Sequence, residues 1–160
     1  MRFNSTVRTY GIFLLLSFLA LTGCDRSAIV DEHIRIENES WSAGNVLKME
    51  AEITDTVLPH DIYINLRHSG SYRFSNLFLF LDTYTPSGQH ARDTVELTLA
   101  DERGEWSGDG LGDVRDNRIL FRKGFIFPAS GTYRFELAQA MRVDPLPGIL
   151  DAGIRIEHSK

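Results

Sequence analysis

The sequence is short of three things, and each shortage excludes a class of protein. It contains one cysteine, Cys24, so it has neither an internal disulfide nor a cysteine-based zinc site. Its longest apolar run, GIFLLLSFLAL, has eleven residues, fewer than the ~20 that a membrane-spanning helix requires. It also lacks an excess of positive charge, with 17 basic against 22 acidic residues, which argues against nucleic-acid binding.

The apolar run lies near the N-terminus and has the layout of an export signal. Arg2 and Arg8 precede it without any acidic residue. A positive segment, an apolar core of this length and small residues before a cleavage site are typical of a secretory signal peptide. The four residues that end it, LTGC, fit the bacterial lipobox, in which the cysteine is acylated and becomes the new N-terminus. The sequence therefore predicts a signal peptide over residues 1–23 and lipidation at Cys24.

Lipidation makes a membrane surface the expected location of the mature chain. Each buried methylene of an acyl chain such as palmitate contributes ~0.8 kcal/mol to membrane binding. Removal of the signal peptide leaves 15 basic and 22 acidic side chains, a net charge of −7, so the lipid would anchor the chain without help from basic residues. Asp25 follows the cysteine and does not settle which membrane or leaflet holds the protein. Residues 24–30 are predicted to form a short tether, and residues 31–160 a single domain.

Past residue 30 the chain alternates apolar and polar residues with a period of two. NLFLFL, residues 76–81, is apolar at every position but the first and indicates a central strand covered on both faces. Turn signals rich in Gly, Pro and Asp separate the alternating runs, and no segment combines a helical period with caps. The alternating runs are EHIRIE, LKMEAEI, DIYINLRH, TVELTLA, TYRFELAQA and GIRIEH. The pattern predicts an all-β fold, an antiparallel β-sandwich of jelly-roll character with eight or nine strands.

The segment GEWSGDGLGDVRDN, residues 104–117, contains four glycines and three aspartates. A Walker phosphate loop requires Gly-Lys-Ser/Thr, whereas here an aspartate follows the glycines. Asp109, Asp113 and Asp116 could ligate calcium, although the alternation and closing glutamate of an EF-hand are missing. The alternative is a structural turn, in which the glycines permit positive φ angles and Trp106 covers the edge of the core.

Aromatic residues near an arginine are the candidates for a contact surface. Tyr63 and Tyr72 flank Arg67 along the chain, and Trp106 lies in the glycine-rich segment. On the outward face of a sheet such residues can form a platform for a sugar or a peptide. Ordinary cross-strand packing is the alternative. We take Tyr63, Arg67, Tyr72 and Trp106 as the predicted partner-binding residues.

Signals of catalysis are weak. No two histidines lie at the spacing of metal ligands, and no G-x-S-x-G segment is present. Paired carboxylates contributed by different strands would not show in the sequence. The sequence favours a protein that is not an enzyme and that uses no cofactor. The histidines are His33, His60, His68, His90 and His158.

Four segments, in order after the lipobox, resemble the GldH family of gliding-motility lipoproteins: YRFSNLFLFLDTYTPSG, DTVELTLADERGEWSGDGLGD, FIFPASGTYRFELAQAMR and LPGILDAGIRIE. The resemblance covers nearly the whole mature chain. It implies a non-catalytic accessory or scaffold lipoprotein of the gliding machinery and its type IX secretion system, with envelope proteins as partners. It also implies a place at the cell envelope, with the outer membrane expected. The alternative function is a carbohydrate- or peptidoglycan-binding β-sandwich module at the envelope.

Overall fold

The structure is a computed structural model that describes residues 27–160, so the predicted signal peptide and Cys24 lie outside the described residues. Those residues form eleven β-strands and one 3₁₀ turn at Glu37–Glu39. No helix among them is long and apolar enough to cross a membrane. The strands are β1 (Ala28–Arg35), β2 (Ser40–Trp41), β3 (Leu47–Ile53), β4 (His60–Ser69), β5 (Asn76–Tyr84), β6 (His90–Thr98), β7 (Asp109–Leu111), β8 (Val114–Phe125), β9 (Gly131–Gln139), β10 (Leu146–Pro147) and β11 (Ile149–His158).

Two antiparallel sheets make up the domain. The first has the order β1-β11-β4-β8-β7 and the second the order β3-β9-β5-β6, while β2 and β10 form a two-stranded ribbon. Eight of the strands contain seven or more residues. Taken in chain order, the first of these eight pairs with the last, and the pairing continues inward: β1 with β11, β3 with β9, β4 with β8 and β5 with β6. This is the pairing of one long hairpin ribbon wrapped into two sheets, the jelly-roll topology. The predicted all-β, antiparallel, jelly-roll sandwich is confirmed.

The predicted count of eight or nine strands holds for the long strands only. The three additional strands, β2, β7 and β10, contain two or three residues each. Alternation cannot be recognised over so few positions, because it needs at least four or so residues to be distinguished from chance.

The core lies between the sheets and follows the alternation in the sequence. In β3 the side chains of Leu47, Met49, Ala51 and Ile53 are buried, and the three residues between them are exposed. Apolar side chains from both sheets meet this strand in one continuous cluster. Burial of each large aliphatic side chain stabilises the fold by about 1.5–3 kcal/mol.

The expectation that NLFLFL is covered on both faces was wrong. The strand β5 is central within its sheet, between β9 and β6, and its leucines are fully buried. On the opposite face Phe78 remains 36% exposed. The guanidinium of Arg92 lies 5.3 Å from the centre of the Phe80 ring on the same face, so a neighbouring side chain, rather than a further layer, covers that ring.

Each of the two sheets has two edge strands, β1 and β7 in the first and β3 and β6 in the second. The strands β1 and β3 contact each other at one side, and β6 and β8 lie at the opposite side. The short strand β7 pairs only with Val114–Asp116 of β8. Beyond that point, residues 117–125 of β8 have no strand partner on their outer edge within the described part of the chain. We call this segment the free edge of β8.

Candidate functional site

A cleft of about 670 Å³ opens at the side of the sandwich where β6 and β8 lie. This volume falls within the ~300–1,000 Å³ typical of ligand-binding clefts. Its lining is mainly apolar, and we call it the aromatic cleft after five of the residues that line it: Phe121, Phe125, Phe127, Tyr133 and Phe135. The cleft therefore offers an apolar surface between the two sheets.

The rings of the aromatic cleft hold one another in fixed orientations. Phe127 packs edge-to-face against Phe125, with ring centres 5.0 Å apart, and against Tyr133, at 4.9 Å. Such edge-to-face pairs are favourable because the positive edge of one ring meets the negative face of the other. The Tyr133 hydroxyl donates a hydrogen bond to the carbonyl oxygen of Ala129 at 3.0 Å. The aromatic side chains that line the cleft are thus held in place without a ligand.

An ion pair crosses the mouth of the aromatic cleft. Arg122 of β8 approaches both carboxylate oxygens of Asp93 in β6 at 3.3 Å. Its guanidinium also lies 5.0 Å from the centre of the Phe121 ring. The Arg122 side chain is 47% exposed, and ion pairs this exposed contribute about 0–1 kcal/mol. The pair therefore joins the two sheets at their open side, and a ligand could displace it at little cost.

A second charged group lies on the outer face of the second sheet, where β5 pairs with β6. Arg92 donates two hydrogen bonds of 2.8 Å to the buried carboxylate of Asp82. His90, which lines the cleft, lies 2.6 Å from the same carboxylate and stacks on Tyr84. The hydrogen bonds from Arg92, followed by that from His90, hold the pKa of Asp82 below its usual value. This carboxylate is therefore charged and fully engaged near neutral pH.

The outer face of the first sheet carries a network of charged side chains. Asp151 is 2% exposed, and it accepts hydrogen bonds from Arg67, whose Nε lies 2.7 Å away. The Nη2 atom of Arg67 and the Nδ1 atom of His33 also contact this carboxylate. The hydrogen bond to Asp151 raises the pKa of Arg67 above its usual value. The hydrogen bonds from Arg67 and His33 offset part of the cost of burying the Asp151 carboxylate, and the network links β1, β11 and β4.

The sequence of this chain is similar to those of known proteins. Residues 28–156 match the family described as GldH lipoprotein. The chain belongs to the GldH lipoprotein family. It is 32% identical over 158 residues to the gliding motility lipoprotein GldH homolog of Christiangramia forsetii, covering 94% of this chain and 96% of that one. It is 31% identical over 158 residues to the gliding motility lipoprotein GldH of Flavobacterium johnsoniae, covering 94% and 97%. No solved structure matches the chain.

The structure divides the four predicted partner-binding residues of this GldH-family chain into two pairs. Tyr63 and Arg67 lie on the outer face of the first sheet, with Asn65 between them. Tyr72 was expected on an outward face, and this was wrong: it is 4% exposed, and its hydroxyl donates to the carbonyl oxygen of Asn76 at 3.0 Å. Burial raises the pKa of Tyr72 above its usual value. The four residues therefore do not form one platform.

Trp106 packs at the end of the core beside Tyr72. Its ring centre is 4.6 Å from that of His68 and 6.5 Å from that of Tyr72. Trp106 is half-buried, as expected of a residue that covers the edge of the core. Burial lowers the pKa of the neighbouring His68, so this histidine is neutral in the folded protein near pH 7.

The calcium site considered for the glycine-rich segment is not formed. Asp109 and Asp116 lie opposite each other in the β7–β8 pair, and Asp113 follows Gly112 in the turn between them. Over residues 27–160, no group of three or more His, Cys, Asp or Glu side chains is placed to hold a metal ion. Gly112 has a φ of +69°, a left-handed conformation that glycine adopts at no steric cost. The segment is a hairpin turn.

The aromatic cleft was missed in the sequence, although a signal was present. The segment RILFRKGFIF, residues 118–127, places three phenylalanines at positions 121, 125 and 127, beside basic residues. Three aromatic residues interspersed with basic residues in one short segment are unusual for a packed core. The residues that complete the cleft come mainly from β4, β5, β6 and β9, and no local pattern connects those strands to β8.

Proposed function

We propose that this chain is a membrane-anchored, non-catalytic lipoprotein that acts as an accessory or scaffold component of the gliding motility and type IX secretion machinery, at the outer membrane. The observation that carries the proposal is the match to the GldH lipoprotein family over residues 28–156. Two relatives that align along nearly their whole length are named as gliding motility lipoproteins or their homolog. The lipobox ending at Cys24 would supply the anchor.

The geometry of the domain is suited to interaction with a partner. The aromatic cleft is preformed, and the charged groups at its mouth, Arg122 and Asp93, are engaged in an ion pair. Such groups orient and attract a ligand, and they can be displaced by it. We therefore assign to the cleft a role in holding a partner.

Glycan binding receives less support than protein binding. The predicted sugar platform needed Tyr63 and Tyr72 on one outward face, and Tyr72 is buried instead. Tyr63 remains half-buried on the outer face of the first sheet. Glycan binding is therefore an alternative outcome of the experiment that tests the proposal.

The proposal is tested by crosslinking followed by pull-down of the tagged lipoprotein from membranes of the bacterium that makes it. We expect gliding or type IX secretion components to be enriched, and a Cys24→Ala variant to lose both its membrane attachment and those components. A parallel sedimentation with purified peptidoglycan measures glycan binding. Recovery of peptidoglycan without any of those envelope proteins, or equal recovery of them with Cys24→Ala, would contradict the proposal.

A further inference from the structure

We infer that the free edge of β8 and the aromatic cleft together bind an extended, acidic segment of a partner protein, which adds to the first sheet as a strand beside β8. The inference rests on the proposed role as an interaction protein and specifies the chemistry of its partner. Three observations carry it: an unpaired strand edge, a cleft directly beside that edge, and two adjacent basic residues on that edge, Arg122 and Lys123.

The first observation is the unpaired edge. The strand β8 has twelve residues, and only Val114, Arg115 and Asp116 pair with β7. The backbone N–H and C=O groups that point outward from residues 117–125 therefore have no strand partner in the described part of the chain. Backbone groups of this kind are a template for an added strand, which is an established mode of peptide recognition.

The second observation is the position of the cleft. Phe121, Arg122 and Phe125 of β8 line it, and so do Ala91 and Asp93 of β6. A strand added beside β8 would run across the space between these two edges. Its alternate side chains point toward the second sheet, spaced by about 6.6 Å, and would enter the cleft. Apolar residues at those positions would bury their surface against the aromatic rings.

The third observation is the charge along the edge. Arg122 and Lys123 lie within residues 117–125, and this segment contains no acidic residue. A third basic residue of the segment, Arg118, faces Asp31 on the outer face of the sheet and is not part of this charge. The mature chain as a whole has a net charge of −7, so this stretch is a local exception. A partner segment with Asp or Glu near its apolar residues would be attracted to it. A second copy of β8 would bring like charges together across the pair, which is unfavourable.

Basic residues on an edge strand also have a different explanation, because they can prevent unwanted strand pairing. That explanation accounts for Lys123, which is exposed, whereas Arg118 reaches over the outer face of the first sheet to within 3.9 Å of Asp31. It does not account for an apolar cleft of about 670 Å³ beside the same edge. A strand that only needed protection would not require a preformed apolar space next to it.

Site-specific photocrosslinking of the full-length protein in its own cells tests the inference. The photoreactive residue benzoylphenylalanine replaces Phe121, which lines the cleft, or Leu120, an exposed neighbour on the same strand. The same residue at Phe78, an exposed ring on the outer face of the second sheet, is the matched control. We expect the crosslinks from the β8 positions to map to one segment of an envelope protein, with alternating apolar residues and nearby Asp or Glu. Phe78 should give no crosslink to that segment.

Charge reversal provides the second arm. The double variant Arg122→Glu and Lys123→Glu should lower the yield of this crosslink about tenfold or more, which corresponds to ~1.4 kcal/mol. The matched double variant Lys48→Glu and Arg142→Glu, also exposed but away from the cleft, should leave the yield within about twofold. A circular-dichroism spectrum and thermal unfolding of each variant check that it is folded.

Several outcomes would overturn the inference. These are crosslinks from the β8 positions to lipid, to glycan or to a second copy of this chain, or no crosslink from either position. A crosslinked segment without acidic residues, or a yield unaffected by charge reversal, would also overturn it. The pull-down described above separates the two proposals. If machinery components are recovered but the β8 positions do not crosslink, the inference alone fails. If the β8 positions crosslink to an acidic segment of a protein outside that machinery, the proposed function alone fails.

Discussion

Replacement of Gly153 by alanine should force apart two paired strands. An added Cβ atom at Gly153 would lie 1.8 Å from the carbonyl oxygen of Glu32 and 3.0 Å from the Cα of His33. Both are backbone atoms of β1, so no side-chain rotation can relieve the contact. Favourable contacts between heavy atoms lie near ~3.5–4.0 Å. The strand β1 would therefore have to move by about 1.5 Å or more from β11.

The size of the effect follows from what this movement disrupts. Glu32 pairs with Ile154, and His33 pairs with Gly153 itself. If two or three backbone hydrogen bonds are lost, at about 0.5–1.5 kcal/mol each, and strain adds about 1–3 kcal/mol, the loss is about 2–7 kcal/mol. The hydrogen bond between His33 and Asp151, at 3.1 Å, would weaken as well. Such a loss is a large part of the roughly 5–15 kcal/mol that stabilises a typical domain.

The assay is equilibrium unfolding in urea, followed by the fluorescence of the two tryptophans, Trp41 and Trp106. Gly44→Ala is the control, because an added Cβ there meets nothing closer than the Ser42 hydroxyl at 3.9 Å. We expect this control to stay within about 1 kcal/mol of the parent protein. If Gly153→Ala also stays within about 1 kcal/mol, with an unchanged dependence on urea, the close approach of β1 to β11 is refuted.

Three further predictions concern buried polar groups, and urea unfolding measures each of them. Asp82→Ala should lower the free energy of unfolding by about 1–2 kcal/mol, because Arg92 loses two hydrogen bonds of 2.8 Å while remaining able to reach water. An unchanged free energy of unfolding would show that the Arg92–Asp82 pair adds nothing to stability. Tyr72→Phe should lower it by about 1 kcal/mol, because the bond to the Asn76 carbonyl at 3.0 Å is lost; a loss below about 0.3 kcal/mol would contradict that bond. Burial lowers the pKa of His68, so the unfolded state binds the extra proton and stability should fall as the pH drops below about 6.5. His68→Gln should reduce this slope by up to ~1.4 kcal/mol per pH unit between pH 5 and 7, and parallel curves for the two proteins would refute the argument.

The strand pattern was predictable because its cause is local. Successive side chains of a strand point to opposite faces, so a strand with one buried face must alternate, as β3 does at each of its seven positions. The burial of Tyr72 was not predictable in this way. It lies in the connection between β4 and β5, and its environment comes from Trp106, far along the chain. Only tertiary packing places the two rings together.

The candidate site was the least predictable feature, also for a physical reason. Alternation shows which face of β8 points inward, but it does not show which strand edge remains unpaired. Most of the outer edge of β8 is unpaired because β7 pairs with only three of its residues, and this pairing stops at Asp109 with Asp116. The pairing of Arg122 with Asp93 across the mouth likewise joins strands that never pair with each other. Which strand edges stay unpaired, and where clefts form between sheets, is determined only when the whole fold is assembled.

The position of the aromatic cleft relative to the predicted lipid restricts what can bind there. Ala28, at the start of β1, pairs with Glu157, which pairs with Asp61. The Asp61 carboxylate in turn accepts a hydrogen bond from Gly124, near the end of β8. The N-terminal end of β1 and the cleft end of β8 therefore lie at the same end of the sandwich, about 15 Å apart at ~4.8 Å per strand. The four residue steps from Cys24 to Ala28 span at most about 14 Å. If Cys24 carries the lipid, β8 is held within about 30 Å of the membrane surface, so a partner segment must come that close to the membrane in order to bind.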